Sequence, residues 1–549
     1  MAETPWWQQK VIYQIYPMSF CDSNGDGIGD LAGIISRLDY LQKLGVGALW
    51  LSPVYPSPNK DNGYDISDYC NIHPNYGTLE LMDTLIAEAK KRDIRIIMDL
   101  VINHTSNQHE WFRKSRRRIA PYTDFYIWRK GENGKKPTNW GNFFGGDCWE
   151  FDEERGEYYL HLFAKEQPDL NYHNEAVIEA IENVMRFWLV RGVAGFRCDV
   201  INIIYKEAIK NGKWRPALTG SEYYLSTPGC HRVLHRLYTD VLSQYNAFTV
   251  GETVFVTPKM ADDLVNPARG ELSTVFAFEH METDCYKIKW FLRKFKPDRF
   301  FSCITKWQQQ LPWNTVYLEN HDQPRSVSRY GNDTKYHDES AKALATLVLT
   351  LRGTPFLYEG QEIGMTNIAL PRLDMYKDVA TFNIARIASK LLPKKTVLKL
   401  IQRATRENAR TPVQWSDAEN AGFSTVKPWF SVNPNYKQIN VEAQEDDPGS
   451  LLNFYRRLLA FRKNNAVALY GTYKEYAPKD KNFYVYERRY GGKRLLVICC
   501  FASEFTRFDA PEGITLGDWT MELSNYDGCF VIGNGFTARP YELRVYSLG

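Results

Sequence analysis

The chain has 549 residues, of which 44% are hydrophobic and 24% charged, and its net charge at neutral pH is +3. That length exceeds one ordinary domain, and the composition is that of an ordinary globular protein with a sizeable core. So small a net charge argues against a nucleic-acid partner, and no apolar run approaches the roughly 20 residues of a spanning helix, which argues against a membrane.

Residues 1–10 lack a basic stretch followed by an apolar run, so no secretory signal is expected. Ten cysteines are scattered singly, apart from Cys499-Cys500, with no C-x-x-C spacing. Reduced thiols in a cytoplasmic protein are the expectation. Aromatics make up 14%, including 15 Trp and 34 Tyr, and many fall in loops. Sugar rings stack on aromatic faces, although core packing accounts for the same composition.

From Val11 short apolar strands alternate with helical stretches, at 11–17, 48–54, 95–104, 195–201, 248–253, 273–278, 315–322 and 355–362. Eight such strands with helical crossovers predict a parallel (β/α)8 TIM barrel, whose active site lies where strands end and loops begin. Helical periodicity is clearest over 33–44, 78–92 and 176–191, with Gly45 and Gly192 as stops.

The first loop reads Asp22-Ser23-Asn24-Gly25-Asp26-Gly27-Ile28-Gly29-Asp30. Side-chain oxygens at positions 1, 3, 5 and 9, a carbonyl at 7 and Gly at 6 match the first part of a calcium loop, while Gly33 replaces its final glutamate. The reading is a structural Ca²⁺ or Mg²⁺ on Asp22, Asn24, Asp26, Ile28 and Asp30, against a metal-free turn.

After His104 the repeat is interrupted, and residues 105–172 are read as an inserted lid domain rich in aromatics, with Phe144 a candidate sugar contact. The basic run Arg113-Lys114-Ser115-Arg116-Arg117-Arg118 is read as a solvated helix face. Barrel residues are assigned to 1–104 and 173–468, with a second insertion at 364–415 and a last barrel helix at 450–464. Residues 469–549 are read as a C-terminal antiparallel β domain.

Acids and histidines gather at four strand ends: Asp99 through His104, Arg197 with Asp199, Glu252, and Asn320-His321-Asp322. Arg197 and Asp199 are two apart, so on a strand they share a face, and a cation there favours an ionised carboxylate. Alone that pair reads equally as a buried ion pair or a nucleophile. Single acids at strand ends also cap helices, but four sets at successive positions point to one rim.

These motifs, together with Gln14-Ile15-Tyr16-Pro17, Asp61-Asn62-Gly63-Tyr64-Asp65, Asn408-Ala409-Arg410-Thr411-Pro412 and Asn433-Pro434-Asn435-Tyr436, resemble the α-amylase family of glycoside hydrolases, family 13, in its oligo-1,6-glucosidase and α-glucosidase branch. The resemblance implies Asp199 as nucleophile, Glu252 as general acid/base and Asp322 as the acid that holds the sugar's 2- and 3-hydroxyls. It gives Asp61, Tyr64, His104, Arg197, His321 and Arg406 contacts to the glucose unit. It also implies a metal in the first loop. The expected protein is a monomeric retaining exo-α-glucosidase acting on small oligosaccharides, with Arg197 keeping Asp199 charged.

Val200, beside the nucleophile, resembles the oligo-1,6 pattern and favours α-1,6-linked substrates such as isomaltose. Val254 departs from relatives that carry an aromatic there, leaving the leaving-sugar site in doubt. The stretch 282–286 lacks the arginines of sucrose isomerases. Alternatives are an α-1,4-preferring or sucrose-active α-glucosidase, a transglucosylase, a sucrose isomerase, or a silent binding member of the family.

Overall fold

The computed structural model describes residues 4–131, 135–215, 218–286 and 288–549. Eight strands form one sheet: β1 Ile12–Ile15, β2 Ala48–Leu51, β3 Arg95–Leu100, β4 Gly195–Cys198, β5 Phe248–Glu252, β6 Thr274–Phe276, β7 Thr315–Val316 and β8 Thr354–Tyr358. Their order is β7-β8-β1-β2-β3-β4-β5-β6, the cyclic sequence of a (β/α)8 barrel, and the pairs β1–β8, β3–β4, β4–β5 and β5–β6 are parallel. All eight predicted strands exist, each shorter than the sequence suggested, because the polar residues at their ends leave the ladder to form loops.

The chain divides into two compact units. One comprises Trp50–Lys91 and Arg95–Phe278. Within it β3, β4 and β5 are in register, with Asp99 opposite Arg197 and Arg197 opposite Val250. Because side chains alternate with a period of two, Asp99, Arg197, Val250 and Glu252 share one face. Gly195, which opens β4, has φ +156°, and a Cβ there would lie 2.0 Å from Phe248 O, so only glycine lets these strands approach. The predicted lid contains a small sheet of Trp128–Arg129, Glu157–Leu160 and Trp149–Asp152 in that order. Its core gathers Ile127, Trp140, Trp149, Leu160 and Leu162. The basic run lies on the helix Glu110–Arg116 and beyond, where Arg116 pairs with Asp152 at 2.7 Å and Arg117 with Glu154 at 3.0 Å.

The other unit comprises Met1–Leu49, Arg92–Ile94 and Glu279–Gly549. The helix expected over 33–44 is two, Leu31–Ser36 and Leu38–Leu44, broken at Arg37 and closed by Gly45 in the left-handed conformation. The C-terminal strands Thr472–Tyr476, Phe483–Tyr490, Lys493–Cys500, Leu543–Leu548 and Thr520–Ser524 form an antiparallel sheet in that order. Alternate residues Phe483, Val485, Leu496, Ile498 and Tyr546 meet Phe508, Trp519 and Phe536 in its core. Thr506–Asp509 pairs separately with Gly535–Ala538, two strands the alternation of residue types did not mark. Among the described residues no helix is long and apolar enough to cross a membrane.

Candidate active site

Register brings three carboxyls to one guanidinium. Arg197 Nη1 donates to Asp99 Oδ1 at 2.8 Å and to Asp199 Oδ1 at 2.6 Å, while Nη2 donates to Glu252. Asp99 Oδ2 accepts from Tyr64 Oη at 3.0 Å and Trp50 Nε1 at 3.2 Å. Burial pushes the Asp99 carboxyl up to about 6 despite Arg197, with the Glu252 charge adding to the rise. Asp199 is raised well above the usual carboxylate range, first by burial and then by the charges of Glu252 and Asp99, with Arg197 opposing.

This corrects the expectation that Arg197 keeps Asp199 charged. Arg197 still favours the ionised form, but burial and the charges of Glu252 and Asp99 outweigh it.

The loop after β4 turns sharply. Val200 has φ +36° and ψ +40°, a rare conformation for a β-branched residue that costs on the order of 1–3 kcal/mol. The turn directs Val200 N–H to Glu252 Oε2 at 3.3 Å. Val200 itself is 6% exposed and packs with Ile127, Trp149 and Leu162, so it acts as a wall of the lid's core rather than as an open contact surface.

His104, at the end of the segment that follows β3, donates from Nε2 to Tyr64 O at 3.1 Å, and its Nδ1 accepts from Asn103 Nδ2 at 3.1 Å. Burial lowers its pKa to about 4, so near pH 7 it is neutral. Gln167 Nε2 donates to Asp61 Oδ2 and Tyr64 O, both at 3.3 Å, and lies 3.0 Å from His104 Nε2. One glutamine thus gathers three sequence-predicted residues. Phe163 packs on His104 with centroids 5.1 Å apart, and Phe144 meets Phe163 edge-on at 5.8 Å.

In the other unit, Asp322 Oδ1 accepts from Arg410 Nη2 at 2.6 Å and Arg406 Nη1 at 3.2 Å. Both arginines also reach Asp378 Oδ2, Arg406 through Nε at 2.7 Å and Arg410 through Nη1 at 3.4 Å. Asp378 Oδ1 caps the helix Val379–Ala388 by accepting from Ala380 and Thr381 N–H. His321 takes a hydrogen bond at Nδ1 from Gln14 Nε2 at 2.8 Å and stacks on Tyr16. Its Nε2–H lies 3.7 Å from Asp322 Oδ2. The arginines are buried, whereas the Asp322 side chain is 30% exposed, as an acid awaiting a ligand must be.

The first loop fits a metal in part. Asp30 is buried and caps the helix Leu31–Ser36, its oxygens accepting from Ser23 and from Gly33 N–H. Asp22 Oδ1 accepts from Asn24 and Gly25 N–H, and Oδ2 from Gly27 N–H and Ser424 Oγ. Burial opposes ionisation of Asp22, but these hydrogen bonds hold its carboxyl below the usual value. Among the described residues no three His, Cys, Asp or Glu side chains form a metal-holding group. The loop offers a mixed set, Asp22, Asn24, Asp26, the Ile28 carbonyl and Asp30, of the all-oxygen kind that hard cations accept.

The alpha amylase catalytic domain matches residues 14–471. The chain belongs to the α-amylase family of glycoside hydrolases. Within the family it is 47% identical to an oligo-1,6-glucosidase of Parageobacillus thermoglucosidasius over 558 aligned residues, covering 100% of this chain and 99% of that one. It is 43% identical to a trehalose-6-phosphate hydrolase of Bacillus subtilis (strain 168), covering 100% and 99%. The crystal structure of a trehalose-6-phosphate hydrolase from Bacillus licheniformis superposes with a TM-score of 0.95 at 41% identity, covering 99% of this chain and 100% of that one.

Sequence reasoning missed Gln167 and Asp378, and gave Asp99 and Arg410 no partner although both stood in noted motifs. Each of the four binds a predicted residue directly, yet each is distant in sequence from the residue it contacts. Asp99 carried one further signal, since alignment of β3 with β4 sets it opposite Arg197.

Proposed function

We propose that the chain is a retaining exo-α-glucosidase that releases glucose from short α-1,6-linked glucosides such as isomaltose. The observation that carries the reading is that one guanidinium, Arg197, binds both the Asp199 and the Glu252 carboxyls and so holds them side by side. Inverting enzymes hold their carboxyls about 6.5–9.5 Å apart to admit water, whereas a retaining pair is closer, at about 5 Å. An ionised Asp199 attacks the anomeric carbon as Glu252 gives its proton to the glycosidic oxygen. The bond to the leaving sugar breaks and a glucosyl ester forms on Asp199. Glu252, now a base, takes a proton from water, whose oxygen attacks the same carbon and frees both glucose and Asp199.

In this reading Asp322, His321, Arg406, His104, Asp61 and Tyr64 hold the glucose hydroxyls, with Phe144 an apolar contact. Asp22, Asn24, Asp26, the Ile28 carbonyl and Asp30 would hold a structural Ca²⁺ or Mg²⁺, which supplies rigidity to the loop. Similarity to oligo-1,6-glucosidases at 47% and 45% identity, together with Val200, supports the α-1,6 preference.

Specificity constants for isomaltose, maltose, sucrose and trehalose 6-phosphate, measured side by side, test it. Isomaltose is expected to lead, with α-glucose as the first-formed anomer. Leadership by trehalose 6-phosphate would transfer the reading to the phosphorylated disaccharide. A first-formed β-anomer would end the retaining mechanism.

A further inference from the structure

A cavity of about 370 Å³ lies where the chain approaches β1, β2 and β3, walled also by the helix Leu451–Asn464. Catalysis in such barrels takes place at the C-terminal ends of the strands, so a cavity at their N-terminal ends has no part in the reaction. Four cations line it, Lys10, Arg92, Arg462 and Lys463, against the one carboxylate of Asp93. Lys10 pairs with Asp93, and Arg92 with Asp39 at 2.6 Å. Among the described residues no acid pairs with Arg462 or Lys463.

Arg462 is buried, and its Nη1 and Nη2 donate to the carbonyls of Leu349 and Gly353 at 2.8 and 2.6 Å, while Nε–H donates to nothing among the described residues. A second buried guanidinium, Arg488, is likewise held by the carbonyls of Gly471 and Thr350 rather than by an acid. Burial lowers Arg462 to about 10 and Arg488 to about 9, and the charge of Arg462 adds to the fall at Arg488, so the two stand close together and both stay charged near pH 7. The helices Leu38–Leu44 and Leu451–Asn464 also end beside the cavity, each contributing at most about half a negative charge. Three unpaired cations against two helix ends leave an excess of about two positive charges.

We propose that this cavity binds a small phosphate-bearing anion, whose charge near neutral pH matches that excess, through Arg462 and Lys463. The buried sides of Val11 and Leu459 offer apolar contact to a carbon skeleton attached to the phosphate. The site is independent of the reaction read at the other end of the strands.

Calorimetric titration with sodium phosphate and, separately, with glucose 6-phosphate, at an ionic strength held constant with sodium chloride, tests it. One saturable site per chain with Kd of about 1 mM or tighter is expected. Glucose 6-phosphate binding about ten-fold more tightly than phosphate would assign the organic ester, and equal affinities the free anion. K463E should weaken both at least about ten-fold and K463A less, while the kinetic constants of hydrolysis stay native in each. Arg462 is left in place because its carbonyl contacts hold the fold; if K463E folds poorly, K463A and K463Q repeat the comparison. No saturable binding, binding unchanged in the Lys463 variants, or phosphate displaced by isomaltose from Asp199→Asn would overturn the proposal.

Discussion

Two buried charge clusters invite comparison because their arithmetic differs. Around Arg197 one guanidinium faces the three carboxyls of Asp99, Asp199 and Glu252. Around Asp322 two guanidiniums, Arg406 and Arg410, face two carboxyls, Asp322 and Asp378. The first is short of cations, and Asp99 and Asp199 are both raised in consequence of burial beside like charge. The second is balanced and has no surplus charge to discharge, which suits a fixed acceptor of hydroxyl hydrogen bonds. Similar residue types thus serve acid–base work or binding according to how many cations share the burial.

The sharpest way to break the first cluster is Asp199→Asn, which removes the nucleophile while preserving shape. A loss on the order of 10,000-fold or more in kcat is expected from steady-state kinetics. Glu252→Gln should cost about 100- to 10,000-fold, and less with leaving groups that depart without a proton. Survival of hydrolysis in either variant would return the cluster to a structural role.

Asp99→Asn tests the proton count. Its negative charge raises Asp199, so its removal should move the acidic limb of the kcat/KM profile to lower pH. Stability carries the same signature. A carboxyl raised from 3.8 to about 6 in the folded chain binds a proton that the unfolded chain has released. Stability is therefore greatest below the unfolded value and falls as pH rises through the interval up to about 6. In Asp99→Asn the melting temperature should be flatter across that interval.

The second cluster should respond through binding. Asp378→Asn keeps an oxygen for the helix cap but removes a countercharge from both arginines, and KM is expected to rise about ten-fold with a smaller change in kcat. The smallest effect belongs to the first loop. Chelation should lower the melting temperature by about 2–5 °C, reversed by added Ca²⁺, and Asp26→Asn should mimic it.

The sequence made the barrel legible because period-two apolar strands and glycine stops are local signals. It also exposed Arg197 with Asp199, since both lie on one strand. What it concealed was pairing at a distance. Arg410 stood within a noted motif, yet its 2.6 Å contact with Asp322 spans 88 residues, and Gln167 reaches Asp61 across 106. Asp30 hid a second use for a different reason: the residue types that bind metals also cap helices, and spacing does not separate the two uses.

Asp378 divides its carboxylate between a helix and two arginines, one oxygen for each. By thermodynamic reciprocity, whatever steadies Asp322 and its arginines must also steady the first turn of the helix Val379–Ala388. A sugar seated on Asp322 should slow amide hydrogen exchange at Ala380 and Thr381, making that turn a reporter of occupancy that can be read without following any reaction.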